Sequence, residues 1–244
     1  MGGSCLAERL ANHVRLTAQE QEVLERLEDQ SRSFRRGSVI QGENEDGREL
    51  YIVQSGWLHS YCILNNGSRQ IMRLHYAGDL MGLSTLAFGH SSESVMAVTD
   101  VRLCPLRRDK VALLFRDYPR LAGVIFNIVL AERALLADRL ASIGRTSARA
   151  RVALLICELV ARLRISKGPD LTAFNMPFTQ EEIGDATGLT AVHVNRMMRG
   201  LVDDGLIARN GSSIEILNEA GLMVEASFVD RFAAIDTSWL PSAG

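Results

Sequence analysis

Cysteine is sparse in this chain. Its four thiols, Cys5, Cys62, Cys104 and Cys157, stand far apart among 244 residues and form no CxxC pair. That spacing gives neither a disulfide framework nor a zinc finger. Long apolar runs are missing too. No stretch approaches the ~18 residues of a membrane span, and the first residues lack the basic region and apolar core of a secretory signal. Nor is there an excess of positive charge, with 27 Lys and Arg against 29 Asp and Glu. A generally basic nucleic-acid coat is excluded, so any contact with nucleic acid must come from a local patch. No Ser/His/Asp set and no pair of carboxylates stands out, so no catalytic residue and no metal ligand is expected. These absences predict a reduced, cytoplasmic protein with no membrane partner. With 47% hydrophobic and 23% charged residues, the chain is able to bury a sizeable core.

The most informative segment runs from Thr179 to Arg199. Thr179 is a good N-cap, and Glu182 three residues later completes a capping box. Gly184 is small where a second helix would cross closely, and Gly188 sits where the chain must turn through a conformation cheap only for glycine. Thr190 caps the next helix. Ile183, Leu189, Val194 and Met197 then take the inward positions of a helix-turn-helix, leaving Ala191, Val192, His193, Asn195, Arg196 and Arg199 outside. The second helix of such a unit enters the major groove of DNA. An ordinary helical hairpin is the alternative for the same glycines. Between Arg145 and Glu225, nine basic residues face ten acidic ones, so the arginines must be segregated to one face if this half binds DNA.

Around that segment the pattern has three further parts. Residues 17–30 read as an amphipathic helix. From Phe34 to Leu106 short strands alternate with turn signals: 38–42, 49–56, 57–64, the Asn66-Gly67 hairpin, 69–76, 94–99 and 101–106. This spacing predicts an antiparallel barrel or jelly roll. Residues 120–143 then form one helix of about 36 Å, ended by Gly144. Its apolar seam at Leu121, Ile125, Ile128 and Leu135 suits a two-stranded coiled coil between protomers, or else a helix lying on its own domain. A helix over 147–163 follows. After the helix-turn-helix, residues 206–217 read as strand, Asn-Gly turn and strand, a wing. The expected fold class is α+β: an N-terminal domain with a jelly-roll barrel over 1–117, a dimerisation helix over 118–144, a winged helix-turn-helix over 145–225 and a tail over 226–244.

A jelly roll, a long helix and a winged helix-turn-helix in this order resemble the cyclic-AMP receptor protein and fumarate/nitrate-reduction regulator (Crp/Fnr) family. The resemblance is carried by Arg36-Gly37-Ser38-Val39-Ile40, Leu50 to Gly56, Ala77-Gly78-Asp79-Leu80-Met81-Gly82, and Thr179 through Ile207. It implies a transcriptional regulator that binds a near-palindromic double-stranded operator as a homodimer, works with RNA polymerase, and senses a signal in the barrel. The departures bear on that signal. Cyclic-AMP-binding members carry a Gly-Glu pair and an Arg-Ser or Arg-Thr pair, the arginine holding the phosphate. Here Leu83 follows Gly82, and residues 89–95 hold Glu93 and no arginine, which argues against cyclic AMP. With Cys5 alone near the N-terminus, an iron–sulfur cluster is argued against as well. Haem would need an axial histidine. His59 and His75 fall on expected strands, where an outward or hydrogen-bonded histidine is the ordinary case, and His90 is the remaining candidate. The cofactor is left unknown.

An effector pocket, if present, is expected at Met81, Gly82, Leu83, Ser84 and Ser92, apolar with hydroxyls and suited to a weakly polar ligand. Cys62 and Cys104 are alternatives as a thiol sensor, against the commoner buried, inert cysteine. On the DNA side, Arg196 takes the family's most regular base-contacting position, and Val192 stands where many relatives carry a glutamate. Ala191 replaces a longer polar residue. His193 and Asn195 remain able to bond bases or phosphates, while Thr179, Gln180 and Arg199 are placed for the backbone and Thr190 at the helix start. The competing function class is a ligand- or metal-binding jelly-roll enzyme of the cupin type. Such sites rely on a close His-x-His pair, which the scattered histidines do not supply.

Overall fold

The computed structural model describes residues 4–28, 30–47, 49–233 and 235–242. Asp29, within the helix expected over 17–30, lies outside them, as do residues 1–3 and 243–244 of the expected first domain and tail. The chain divides into two units. One runs up to Val129 and takes in the segment from Asp236 onward; the other is Leu130–Ile235. The division falls inside the long helix.

The first unit opens with helices α1 (Cys5–Ala11) and α2 (Ala18–Leu27). Ser4 Oγ caps α1 by accepting from Ala7 N at 2.9 Å, and Thr17 and Glu20 close a capping box on α2. Glu28 anchors α1: its carboxylate accepts from Ser4 Oγ at 2.5 Å and from the amides of Leu6 and Cys5 at 2.9 and 3.2 Å. Then come β1 (Arg32–Phe34), β2 (Val39–Gln41), β3 (Glu49–Ser55), β4 (Leu58–Ile63), β5 (Arg69–His75), β6 (Leu80–Met81), α3 (Ser84–Phe88), β7 (Ser94–Ala97) and β8 (Val101–Arg107). They pair as two four-stranded antiparallel sheets, β1-β8-β3-β6 and β2-β7-β4-β5, a jelly roll. Val53, Leu58, Met81, Val95, Ala97, Val101 and Leu103 form a buried cluster drawn from both sheets. Helices α4 (Arg108–Asp117) and α5 (Pro119–Arg145) follow.

Two expectations about α5 are corrected. Gly144 does not end it; the helix runs on to Arg145, and Ser147 starts the next by accepting from Ala150 N at 3.0 Å. The seam expected to face a partner is also turned inward, since Leu121, Ile128 and Leu135 are buried within the chain and Ile125 is half-buried. The exposed apolar residues of α5 are instead Phe126, Leu130, Leu136 and Leu140, on a stripe rotated away from that seam. Residues 236–242 return to the first unit. Asn127 Nδ2 donates to Asp236 O at 2.6 Å and Thr237 Oγ1 to His13 O at 3.4 Å. A β-carbon on Gly123 would stand 2.6 Å from Leu240 Cδ2, so Leu240 lies close over that glycine.

In the second unit the core is α6 (Ala148–Lys167), buried almost continuously from Val152 to Leu163. Around it come β9 (Ala173–Asn175), α7 (Gln180–Thr187), α8 (Ala191–Asp203), β10 (Ile207–Asn210), β11 (Ser213–Ile216) and α9 (Glu219–Ala226), with the strands in order β10-β11-β9. Helices α7, α8 and α9 all pack on α6, which explains why it is buried on every side rather than along one stripe. Two charged residues of α6, Glu158 and Arg162, are buried with it, and Arg139 Nε from α5 donates to Glu158 Oε2 at 2.6 Å.

Candidate nucleic-acid interface

Local chemistry fixes the two helices of the interface. Glu182 N donates to Thr179 Oγ1 at 3.1 Å and Thr179 N to Glu182 Oε2 at 2.8 Å, the reciprocal bonds of a capping box. Gly188 closes α7 in the left-handed region, with φ 69°. Thr190 Oγ1 caps α8 by accepting from His193 N at 3.3 Å. Gly184 is required by contact rather than conformation: a β-carbon there would stand 2.4 Å from Leu189 O. This close approach sets how α8 leaves the turn.

Helix α8 is strongly two-faced. Val194, Met198 and Leu201 are buried, while Ala191, Val192, His193, Arg196 and Arg199 are exposed, Val192 by 78%. Asn195 is half-buried at the edge of the outer face. One inward assignment is corrected. Met197 is only half-buried and Met198 takes the core position, completing the spacing of four and three from Val194 to Leu201. Ile183 is buried and Leu189 half-buried. Thr179 and Thr190 are exposed and Gln180 is half-buried, its Oε1 inaccessible and without a hydrogen-bond partner.

Charge on this unit is segregated by pairing. Arg149 is held by Asp204 at 2.6 Å and Glu225 at 3.2 Å, and Arg164 by Glu219 at 2.6 Å. Those acids neutralise arginines of the scaffold. Among the described residues Arg196 and Arg199 have no ion pair, and both guanidiniums project from the exposed face of α8. A unit with no net basic excess thus presents two unneutralised arginines where a groove would be entered. In the wing between β10 and β11, Gly211 turns the chain at φ 61° and Arg209 Nε donates to Gly211 O at 3.2 Å. Arg209 is exposed beside that turn.

A family model described as a Crp-like helix-turn-helix domain matches residues 150–224, and one described as a cyclic nucleotide-binding domain matches residues 31–118. The chain belongs to the Crp/Fnr family. This Crp/Fnr chain is 24% identical to the fumarate and nitrate reduction regulatory protein of Salmonella typhimurium over 229 residues, covering 94% of the chain and 91% of that protein. The protein of the same name in Escherichia coli strain K12 is 24% identical over 218 residues, 89% of the chain and 87% of the relative. Among solved structures, FixK2 from Bradyrhizobium japonicum is 26% identical with a TM-score of 0.73, over 82% of this chain and 98% of that one. The CRP-family regulator TTHB099 of Thermus thermophilus, at 20% identity and TM-score 0.60 over 85% and 100%, shares the fold. This Crp/Fnr member is a DNA-binding transcriptional regulator, and the curated relatives it matches are regulators.

The expected effector residues of this regulator lie together at β6 and the start of α3, with Ser92 joined to them. Met81 is buried in the jelly-roll core, Gly82 is buried at φ 77°, and Leu83 is half-buried. Ser84 Oγ accepts from Ser92 N at 3.2 Å. A cavity of about 710 Å³ adjoins this segment, lined by Gln41, Glu45, Glu49, Tyr51 and Arg108 among others: a β-carbon on Gly82 would stand 3.2 Å from Gln41 Oε1, while none of the five expected residues is itself in the lining. His59 and His75 are both buried. His75 Nε2 lies 3.2 Å from Ser60 Oγ, and His59 meets the edge of Tyr61. Cys104 is buried, its thiol donating to Glu28 O at 3.2 Å, and Cys62 is half-buried. Among the described residues no group of three or more His, Cys, Asp or Glu is placed to hold a metal, and no helix is long and apolar enough to cross a membrane.

Proposed function

We propose that this regulator binds a near-palindromic operator as a homodimer, with α8 of each protomer in a major groove. The observation that carries this is the exposed, unneutralised Arg196 on a helix whose opposite face is locked by Val194, Met198 and Leu201. Arginine bonds guanine O6 and N7 bidentately. Val192 offers only an apolar contact, as to a thymine methyl, and His193 and Asn195 offer hydrogen bonds. Arg199, Thr179, Gln180 and the amino end of α8 favour phosphates. The operator therefore keeps a guanine opposite Arg196 and differs from the cyclic-AMP receptor's half-site beside it.

Dimerisation uses the exposed stripe of α5, Phe126, Leu130, Leu136 and Leu140, two pairs four residues apart on one side of the helix. The protein acts in the cytoplasm, contacts RNA polymerase at its promoters, and carries no catalytic chemistry of its own. Its similarity to the fumarate and nitrate reduction regulatory proteins supports the regulatory reading. Selecting bound duplexes from a random pool tests it, preceded by a gel shift against the protein's own promoter region. The expected result is a two-fold repeat with half-sites about one helical turn apart. Recovery of no preferred sequence, or of the cyclic-AMP receptor's consensus unchanged, sinks the proposal.

A further inference from the structure

The cavity of about 710 Å³ is walled by the end of β2, the loop to β3, β3 itself and the junction of β8 with α4. Gln41, the last residue of β2, lines it and is only 8% exposed. Its carboxamide is fixed from two sides by glycines. A β-carbon on Gly47 would stand 2.8 Å from Gln41 Nε2, and one on Gly82 would stand 3.2 Å from Oε1. Among the described residues that carboxamide has no hydrogen-bond partner. A buried amide left so is costly unless something in the adjoining space serves it.

The charges of the lining say what that something is. Both guanidiniums are occupied by the chain: Arg108 Nη2 donates to Gly47 O at 3.0 Å and to Thr85 O, and Arg107 Nε donates to Asp109 Oδ1 at 3.2 Å. Glu49 is held by Arg32 at 2.8 Å and by the Tyr51 hydroxyl at 3.3 Å. Glu45 and Asp46 differ. Glu45 accepts from Gly42 N at 2.9 Å, but among the described residues neither carboxylate has an ion pair. An anion entering here would meet four carboxylates, those of Glu45, Asp46, Glu49 and Asp109, against two occupied guanidiniums. A cation with hydrogen-bond donors would satisfy the two free carboxylates and the amide together. Among the described residues the acids are not gathered to hold a metal ion, and the volume is that of an organic molecule.

We infer that this cavity binds an aliphatic diamine or polyamine. One ammonium lies at Glu45 and Asp46 and another donates to the Gln41 carboxamide oxygen, with the methylene chain over Ile40 and the Tyr51 ring. The inference concerns the first unit alone, so a failed operator selection leaves it standing. Calorimetry on the full chain at fixed ionic strength tests it, with 1,4-diaminobutane as the probe. A saturable one-to-one heat is expected, and 1,4-butanediol, equally long but uncharged, should give none. The double variant Glu45→Gln/Asp46→Asn should bind the diamine about tenfold more weakly, and Gln41→Met at least about tenfold more weakly. Should Gln41→Met fail to fold, the double variant decides, because both of its positions are exposed. Absence of a saturable heat with the wild type overturns the inference. So does an affinity unchanged in the double variant, or displacement of the diamine by magnesium at equal ionic strength, which would mark diffuse counterion attraction only.

Discussion

Arg196 and Arg199 stand one turn apart on the exposed face of α8, and their proposed partners differ. If Arg196 reads a guanine, Arg196→Ala costs about 1–3 kcal/mol of operator affinity and relaxes the preference at one base pair per half-site. If Arg199 touches phosphate, Arg199→Ala weakens all sequences alike and lowers the slope of log affinity against log salt by about 1 per contact. Titrations at several salt concentrations on matched and single-mismatch duplexes separate the two. Identical profiles for both variants would remove the base-reading role from Arg196. At the opposite extreme of exposure sits Cys157, buried on α6. Burial first, and then the Glu219 and Glu158 carboxylates, push its thiol up to about 12 from an ordinary 9.0. Below about 9 the thiol is protonated in folded and unfolded chains alike and its contribution to stability is fully present. As pH rises from about 9 towards about 12, the unfolded chain ionises first and that contribution is lost. Iodoacetamide at pH 8 should therefore leave Cys157 unmodified until the chain is denatured, as peptide mass spectrometry would report.

The tie between α5 and α6 makes an element-scale prediction. Arg139 Nε lies 2.6 Å from Glu158 Oε2, and burial raises the Glu158 carboxyl while Arg139 and Arg162 lower it. Breaking a buried pair from one side leaves an uncompensated charge, at about 3–5 kcal/mol. Arg139→Leu should thus destabilise the second unit at neutral pH. The Glu158 carboxyl is raised in the fold, so proton uptake favours the folded state, and the deficit should shrink as the solution is made acid. Replacing both residues by leucine should recover much of the loss. Denaturation at pH 7 and pH 5 checks this; a deficit that grows with acid contradicts it. Elements were legible in the sequence where short-range chemistry decides them. Thr179 with Glu182, Gly188 and Thr190 mark both ends of the turn through bonds spanning three or four residues, and Asn66-Gly67 marks a hairpin. Strands β1, β6 and β9 are not legible in the sequence because two or three residues carry no alternation, and β6 exists only through its pairing with β3. Helix α1 was equally silent, since Glu28, 22 to 24 residues away, holds it. The substitution of Met198 for Met197 in the core is one step of helical rotation, about 100°, finer than a list of apolar positions resolves. For the same reason the Leu121, Ile125, Ile128 and Leu135 seam fitted a partner and the chain's own interior equally well.

At the scale of the whole molecule, assembly is decided by which face of α5 stays open. Leu140, 73% exposed, sits on the stripe proposed to meet a second copy, whereas Ile128 is buried. Leu140→Asp should yield folded monomers at micromolar concentration with operator affinity lost, because one protomer holds one half-site. Ile128→Asp should instead lower the thermal midpoint. Sedimentation with circular dichroism tells the cases apart, and a Leu140→Asp protein that remains dimeric moves the interface elsewhere. The segment from Asp236 to Leu240 has a consequence of another kind. It covers Gly123 and Asn127 and bonds to His13, so the unit that starts the chain is completed by residues made after the whole of the other unit. Order of synthesis and order of completion are therefore reversed on the ribosome, against the usual N-terminal-first sequence. A nascent chain halted before residue 236 carries every residue of its helix-turn-helix unit while the jelly-roll unit still awaits its last strip of covering.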